Sequence, residues 1–191
     1  MMENKQDVHN ILQAYLHQFP HENQQQLLDF LGKNEQLFYR ENFNGHITAS
    51  AFIADADAKQ MLLLKHKLYD RYLQPGGHIE QEDASILQAA LREACEETGI
   101  LTEELIHIPL SAAANIPLDI DSHYIPENKN KNEPEHIHHD FRYLFVYTGN
   151  KNITVPPSEA KDARWVTFSA LAEMELFSVV AKKIAGFYHD R

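Results

Sequence analysis

Apolar positions follow two different periods along the chain. In the first forty or so residues they recur at spacings of three and four. DVHNILQAYLHQF places Val8, Ile11, Leu12, Tyr15, Leu16 and Phe19 on one helical face, and Pro20 ends it. HENQQQLLDFLGKN carries Leu27, Leu28 and Leu31 as a second short helix, with Gly32 expected to stop it. From Gly45 the spacing becomes two. HITASAFIADAD and QMLLLKHK flank a turn at Asp55 to Lys59 and predict a hairpin of strands. LYDRYLQPGGHIE is a short extended piece. A third helical run begins at Asp83 or Ser85 and reaches Thr98. LIHIPLSAAANIPLDI then reads as further strand material broken by Pro109 and Pro117, and DSHYIPENKNKNEPE (121–135) as a polar surface loop. HIHHDFRYLFVYTG is the strongest strand pattern, ARWVTF is another, and SALAEM and LFSVVAKKIAGFYHDR close the chain as helices. Strands mixed with helices of unequal length predict an α/β (α+β) fold with a mixed sheet between helices. The change of period divides the chain into an N-terminal helical extension over 1–42 and a main domain over 43–191 that includes the C-terminal helix. The extension reads as a lid or substrate-selecting cap, or, as we favour, as a packing or dimer contact.

Composition narrows the function classes. The chain has 191 residues, 43% hydrophobic and 24% charged, which suits a globular domain able to bury its own core. Its formal charge is −11, so it lacks the basic balance that a nucleic-acid polymer or an anionic membrane attracts. A nucleotide is still allowed, because bound metal reverses a local field. The single cysteine, Cys95, forms no internal disulfide and fits a reducing compartment. The polar start MMENKQDVHN has no apolar signal core, and no run approaches the ~20 apolar residues of a membrane span. These features lead us to expect a cytoplasmic protein with no membrane partner.

The chemistry concentrates in PGGHIEQEDASILQAALREACEETGI, Pro75 to Ile100. Glu93, Glu96 and Glu97 stand three and four residues apart and so share a helical face. Three like charges there oppose one another unless a cation joins them. Hard divalent cations take carboxylate, carbonyl and water oxygens. Gly76 and Gly77 let the backbone approach closely and offer a carbonyl to the same ion. Arg92, four residues before Glu96, has a planar fork able to hold a carboxylate. The bland alternative is a solvated helix face with an Arg92–Glu96 pair worth only ~0.3–0.5 kcal/mol.

This stretch resembles the Nudix box of the Nudix hydrolases: a glycine, five residues, an acid, seven residues, then Arg-Glu-apolar-x-Glu-Glu-x-Gly-apolar. Arg92 to Ile100 matches at every position. The first half, from Gly77, departs twice: the acid is Asp83 instead of glutamate, and eight residues separate it from Arg92. The resemblance extends over about residues 43–180, through Gln74-Pro75-Gly76-Gly77-His78 and Ala163-Arg164-Trp165-Val166. It implies a Nudix-type α-β-α sandwich and a pyrophosphohydrolase dependent on Mg2+ or Mn2+. The substrate implied is a small nucleoside diphosphate linked to another group, attacked by water at phosphorus. Carried over by position, Glu93, Glu97 and Glu96, with Gly77, are the metal ligands. Glu93, Arg92 and Glu96 form the catalytic set, the arginine orienting a catalytic glutamate. Asp83 is a candidate to support these groups or to hold a further metal. A homodimer is the family's common habit. Two alternatives of the same fold stay open: a regulator that binds a nucleotide without cutting it, against which the intact glutamates argue, and a diphosphate isomerase, for which Cys95 is the only cysteine.

A second constellation is His136-Ile137-His138-His139-Asp140. Alternation places His136, His138 and Asp140 on one strand face and Ile137, His139 and Phe141 on the other. Two imidazoles and a carboxylate can bind metal, contact phosphate or hold water as a base, and His123 could join them across the loop. It resembles a Nudix subset with an H-x-H-x-D strand after the box. We expect His138 and Asp140 to face the Glu93–Glu97 helix across a cleft; a place on the far side of the sheet would exclude that. Lys65 and Arg71 are candidates to meet substrate phosphate, although edge-strand protection explains the lysine equally well. Besides Glu93, the candidate bases are Glu127, Glu133, Glu135 and Asp140.

Overall fold

A computed structural model describes residues 3–57, 59–67, 70–110 and 115–189. The part of the predicted LIHIPLSAAANIPLDI strand that spans 111–114 lies outside the described residues. Helix α1, Lys5–Gln18, begins at Asn4, whose side chain accepts from the Gln6 and Asp7 amides while Asp7 bonds back to the Asn4 amide. Helix α2, Gln25–Lys33, ends one residue past Gly32, with Asn34 as its extended C-cap. That glycine has open space around it and lies in the last turn, where it weakens the helix.

The strands are β1 His46–Asp55, β2 Gln60–His66, β3 Tyr72–Leu73, β4 Gly76–His78, β5 Leu105–His107, β6 Asp119–Ile125, β7 His136–Tyr147 and β8 Ala160–Thr167. The remaining helices are α3 Ile86–Thr98, α4 Phe168–Ala172 and α5 Ser178–His189. The sheet runs β3-β2-β1-β7-β5, with β4 also on β1, β6 on β7 and β8 on β2. β1 and β7 pair in parallel, His46 opposite His138 through Asp55 opposite Tyr147. The other pairs are antiparallel. β6 corrects the loop expected over 121–135: residues 121–125 pair with β7. That strand was hidden because Asp121, Ser122 and His123 spend their side chains on polar partners, so the segment lacks apolar alternation.

Side-chain alternation splits the core by sheet face. Ile47, Ala49 and Ala51 of β1 and Phe141, Tyr143 and Phe145 of β7 pack with Ala89, Ala90 and Ala94 of α3. The alanines let that helix lie close to the sheet. The same cluster takes in Val8, Leu12, Tyr15, Leu27 and Leu31, all fully buried, so the first two helices share the main core. On the opposite face, Phe52, Ala54, Leu63 and Leu144 pack with Leu171 of α4, Phe177 just before α5, and Val180 and Ile184 of α5. The result is the α-β-α sandwich with a mixed sheet. Among the described residues no helix is long and apolar enough to cross a membrane.

Candidate functional site

Helix α3 holds the glutamates through sharply defined ends. Ser85 caps its start by accepting from the Gln88 amide, and Gly99 closes it in the left-handed region at φ 72°. With its alanines facing the core, Arg92, Glu93, Glu96 and Glu97 point elsewhere. Asp83 stands two residues before the Ser85 cap. Asp83 turns back to accept from the Glu80 amide at 2.8 Å and is 4% exposed. Arg92 meets it in a two-pronged pair, Nε to Oδ1 at 3.0 Å and Nη2 to Oδ2 at 2.9 Å. This fills the Asp83 oxygens and argues against a metal there. Arg92 also donates to the His78 carbonyl, to Glu93 at 3.0 Å and to Glu96 at 3.1 Å. It thereby ties the box loop to the helix, and the fork goes to Asp83 first, not to Glu96.

The glycines are a steric requirement. A Cβ on Gly77 would stand 2.7 Å from the Glu93 carboxylate, and one on Gly76 would strike Ser50 and the Ala49 carbonyl. The Gly76 amide donates to Glu97 at 3.1 Å. Glu93 and Glu97 thus lie over a backbone strip that has no side chains. Burial raises the Glu93 carboxyl above its ordinary range, with Arg92 opposing. Burial raises Glu97 to about 7; the Gly76 amide opposes this, and Glu93 adds to it. Glu96 stays at the solvent, its side chain 58% exposed.

A cavity of about 810 Å³ opens here, lined by Gly76, Gly77, His78, Glu93 and Glu97 on one side and by Thr48, Ser50, His123, His136, His138 and Asp140 on another. Glu127, Glu133 and Arg40 border it from the loop side. The expected geometry needs correction. His138 and Asp140 share a strand face with Leu144, which packs on α5, whereas α3 packs on the face of Phe141 and Tyr143. They therefore do not sit across a cleft on the helix's own side of the sheet. They meet Glu93 and Glu97 at one cavity beside short β4, where two glycines leave the sheet bare.

Asp140 is saturated. It accepts from Thr48 at 3.1 Å, Ser50 at 2.8 Å, Arg142 Nε at 2.8 Å and Gln74 at 3.4 Å. Arg142, 7% exposed in its side chain, also binds Asp119 and Asp121. Such an anchored carboxylate has no spare oxygen with which to act as a base. Glu133 is engaged by Arg40, and Glu135 by the Tyr124 hydroxyl. Lys65 and Arg71 do not line the cavity; Lys65 pairs with Asp70 at 3.3 Å. His139 points away, bonded to Ser122 and packed on Phe30.

Three residues escaped the reading of the sequence. His46 and His78 join the imidazole cluster, their rings 4.6 and 5.3 Å from that of His138. Arg142 anchors the acids. Only for His46 was there a signal: it shares the alternation of Thr48 and Ser50 at the head of β1. Burial drives His46 and His78 down to about 4 and His138 lower still.

The family model described as NUDIX domain matches residues 45–185. A curated relative named probable DHNTP pyrophosphohydrolase, from Lactococcus lactis subsp. cremoris (strain MG1363), is 32% identical over 127 residues, 64% of this chain and 69% of its own length. The Escherichia coli dihydroneopterin triphosphate pyrophosphohydrolase structure aligns with a TM-score of 0.56 at 16% identity, over 82% of this chain and all of that one. A hydrolase of the NUDIX family from Clostridium perfringens aligns at 0.55 and 24% identity, over 73% of this chain and 96% of that one. With Gly77, Glu93 and Glu97 of the box at one cavity and the family model covering most of its length, the chain belongs to the Nudix family.

Proposed function

We propose that this Nudix hydrolase is a divalent-metal-dependent pyrophosphohydrolase, with Glu93 and Glu97 holding Mg2+ or Mn2+ against the Gly76-Gly77 backbone. The observation that carries this is the state of Glu97. Its carboxyl is buried beside Glu93, has no cationic side chain bonded to it among the described residues, and is raised to about 7. A hard cation relieves that arrangement, and the Gly77 strip leaves room for one. The ion, when bound, neutralises phosphate charge and lowers the pKa of bound water.

The chain's own groups divide the remaining work. Arg92 fixes one Glu93 oxygen and, through Asp83 and the His78 carbonyl, the loop carrying the glycines. Glu93, raised by burial, accepts the proton of the attacking water. Glu96 stays outside and shares Arg92. The phosphoanhydride lies in the cavity between the glutamates and the polar wall of Thr48, Ser50 and His123.

The substrate class is a nucleoside diphosphate linked to another group. The 32%-identical relative's name supports dihydroneopterin triphosphate as the second reading. A chromatographic panel separates them: nucleotide sugars, dinucleotides, nucleoside triphosphates and dihydroneopterin triphosphate, each with Mg2+ or Mn2+. The proposal expects cleavage of one class at a phosphoanhydride, dependent on metal. Tight nucleotide binding with no turnover across the panel would instead favour a regulator.

A further inference from the structure

We propose that His46, His136 and His138 form a second metal centre, selective for a borderline divalent ion of the zinc type and separate from the glutamate site. It goes beyond the hydrolase reading and does not depend on it.

The fold assembles the three rings. Alternation puts His136 and His138 on one face of β7, and parallel pairing sets His46 of β1 directly opposite His138. Their ligand nitrogens all lie within 4.8 Å of one another. The Nε2 atoms of His136 and His138 are 3.1 Å apart. Two nitrogens each bound at ~2.0–2.1 Å to a tetrahedral zinc stand roughly 3.3 Å apart, so the pair is already near ligand spacing.

The hydrogen-bond bookkeeping points the same way. The Nδ1 of His136 lies 2.8 Å from the Pro134 carbonyl, and that of His46 lies 3.4 Å from the Asn42 carbonyl. A carbonyl only accepts, so in both rings Nδ1 carries the hydrogen and Nε2 presents a lone pair. Holding the outer ring nitrogen on a backbone carbonyl is how proteins orient metal-binding histidines. His138 can donate one hydrogen to His136, but that leaves His46 with nothing. His46 is 0% exposed, and its Nε2 is buried without a hydrogen-bond partner among the described residues. An orphaned buried acceptor is costly, and a shared cation satisfies all three lone pairs at once. Imidazole donors favour zinc-like ions, whereas the carboxylates of the box suit Mg2+ or Mn2+, so the two sites sort metals by ligand type. His136 and His138 line the cavity and His46 sits behind them, so a fourth position toward the cavity is left for water or another oxygen donor.

The test is cobalt titration of the metal-stripped full chain, read by visible absorption, with zinc as competitor. Wild type should bind one Co2+ in a low-coordinate nitrogen environment, displaced by Zn2+ but not by a large excess of Mg2+. Glu97→Gln should keep that signal, and His138→Ala should weaken binding at least 100-fold with an unchanged far-UV spectrum. X-ray absorption of the zinc-loaded wild type gives a readout that needs no variant, and should count three imidazole ligands. Zinc bound only through oxygen donors, or a cobalt signal lost in Glu97→Gln and kept in His138→Ala, would overturn the proposal.

Discussion

Replacing Glu97 by glutamine should stabilise the metal-free protein at alkaline pH. The structure raises the Glu97 carboxyl from 4.5 to about 7, chiefly by burial. A raised acid favours the protonated fold. Its contribution is fully present below pH 4.5 and is lost as pH climbs through about 7, above which the ionised form strains the native state. At roughly 1.4 kcal/mol per unit, the ceiling is about 3 kcal/mol. Partial solvent access brings the working figure to about 1–2 kcal/mol. Glutamine keeps an oxygen for the Gly76 amide but never ionises. Urea unfolding in EDTA should therefore show Glu97→Gln more stable than wild type by about 1–2 kcal/mol at pH 8, with the gap closing by pH 5. For a chain of this length that corresponds to roughly 2–8 °C in Tm. Added Mn2+ should reverse the order at pH 8, because only wild type offers the carboxylate. A gap that is the same at both pH values, or a variant less stable at pH 8 without metal, would refute the reasoning.

Other substitutions separate structure from chemistry. Gly77→Ala places a methyl 2.7 Å from the Glu93 carboxylate, the movable end of a side chain; it should cost under about 1 kcal/mol of stability yet at least ~10²-fold in kcat, by displacing Glu93. Arg142→Leu leaves Asp119, Asp121 and Asp140 without their shared cation, and denaturant melts should show a loss of about 3–5 kcal/mol. Tyr143 has a fully buried hydroxyl with no hydrogen-bond partner among the described residues, so Tyr143→Phe should be neutral or stabilising by up to about 2 kcal/mol in the same assay.

Regular, one-sided patterns were the legible ones. The α3 helix, its start at one of the two candidate caps, Asp83 or Ser85, and the β1–β2 hairpin all follow from local periodicity and capping, and the box spacing announced the glutamates. Long-range effects were not legible. β6 looked like loop because Asp121 and His123 find polar partners. The destination of Arg92 depended on how the loop with the extra residue folds back, which no helical spacing encodes. His46 became part of a cluster only through the parallel β1–β7 register. The opposite-face placement of His138 and Asp140 depended on which layer α3 covers, and strand alternation alone is silent on that.

The central claim is that Glu93 and Glu97 hold the ion that makes phosphoanhydride cleavage possible. Its most direct test is the metal-dependent kcat/KM of Glu97→Gln against wild type on whichever panel substrate turns over, with folding checked by circular dichroism. Glu97→Gln should fold normally yet lose at least ~10²-fold, a loss that saturating Mg2+ or Mn2+ does not restore. A folded Glu97→Gln protein with wild-type turnover and unchanged metal dependence would contradict it.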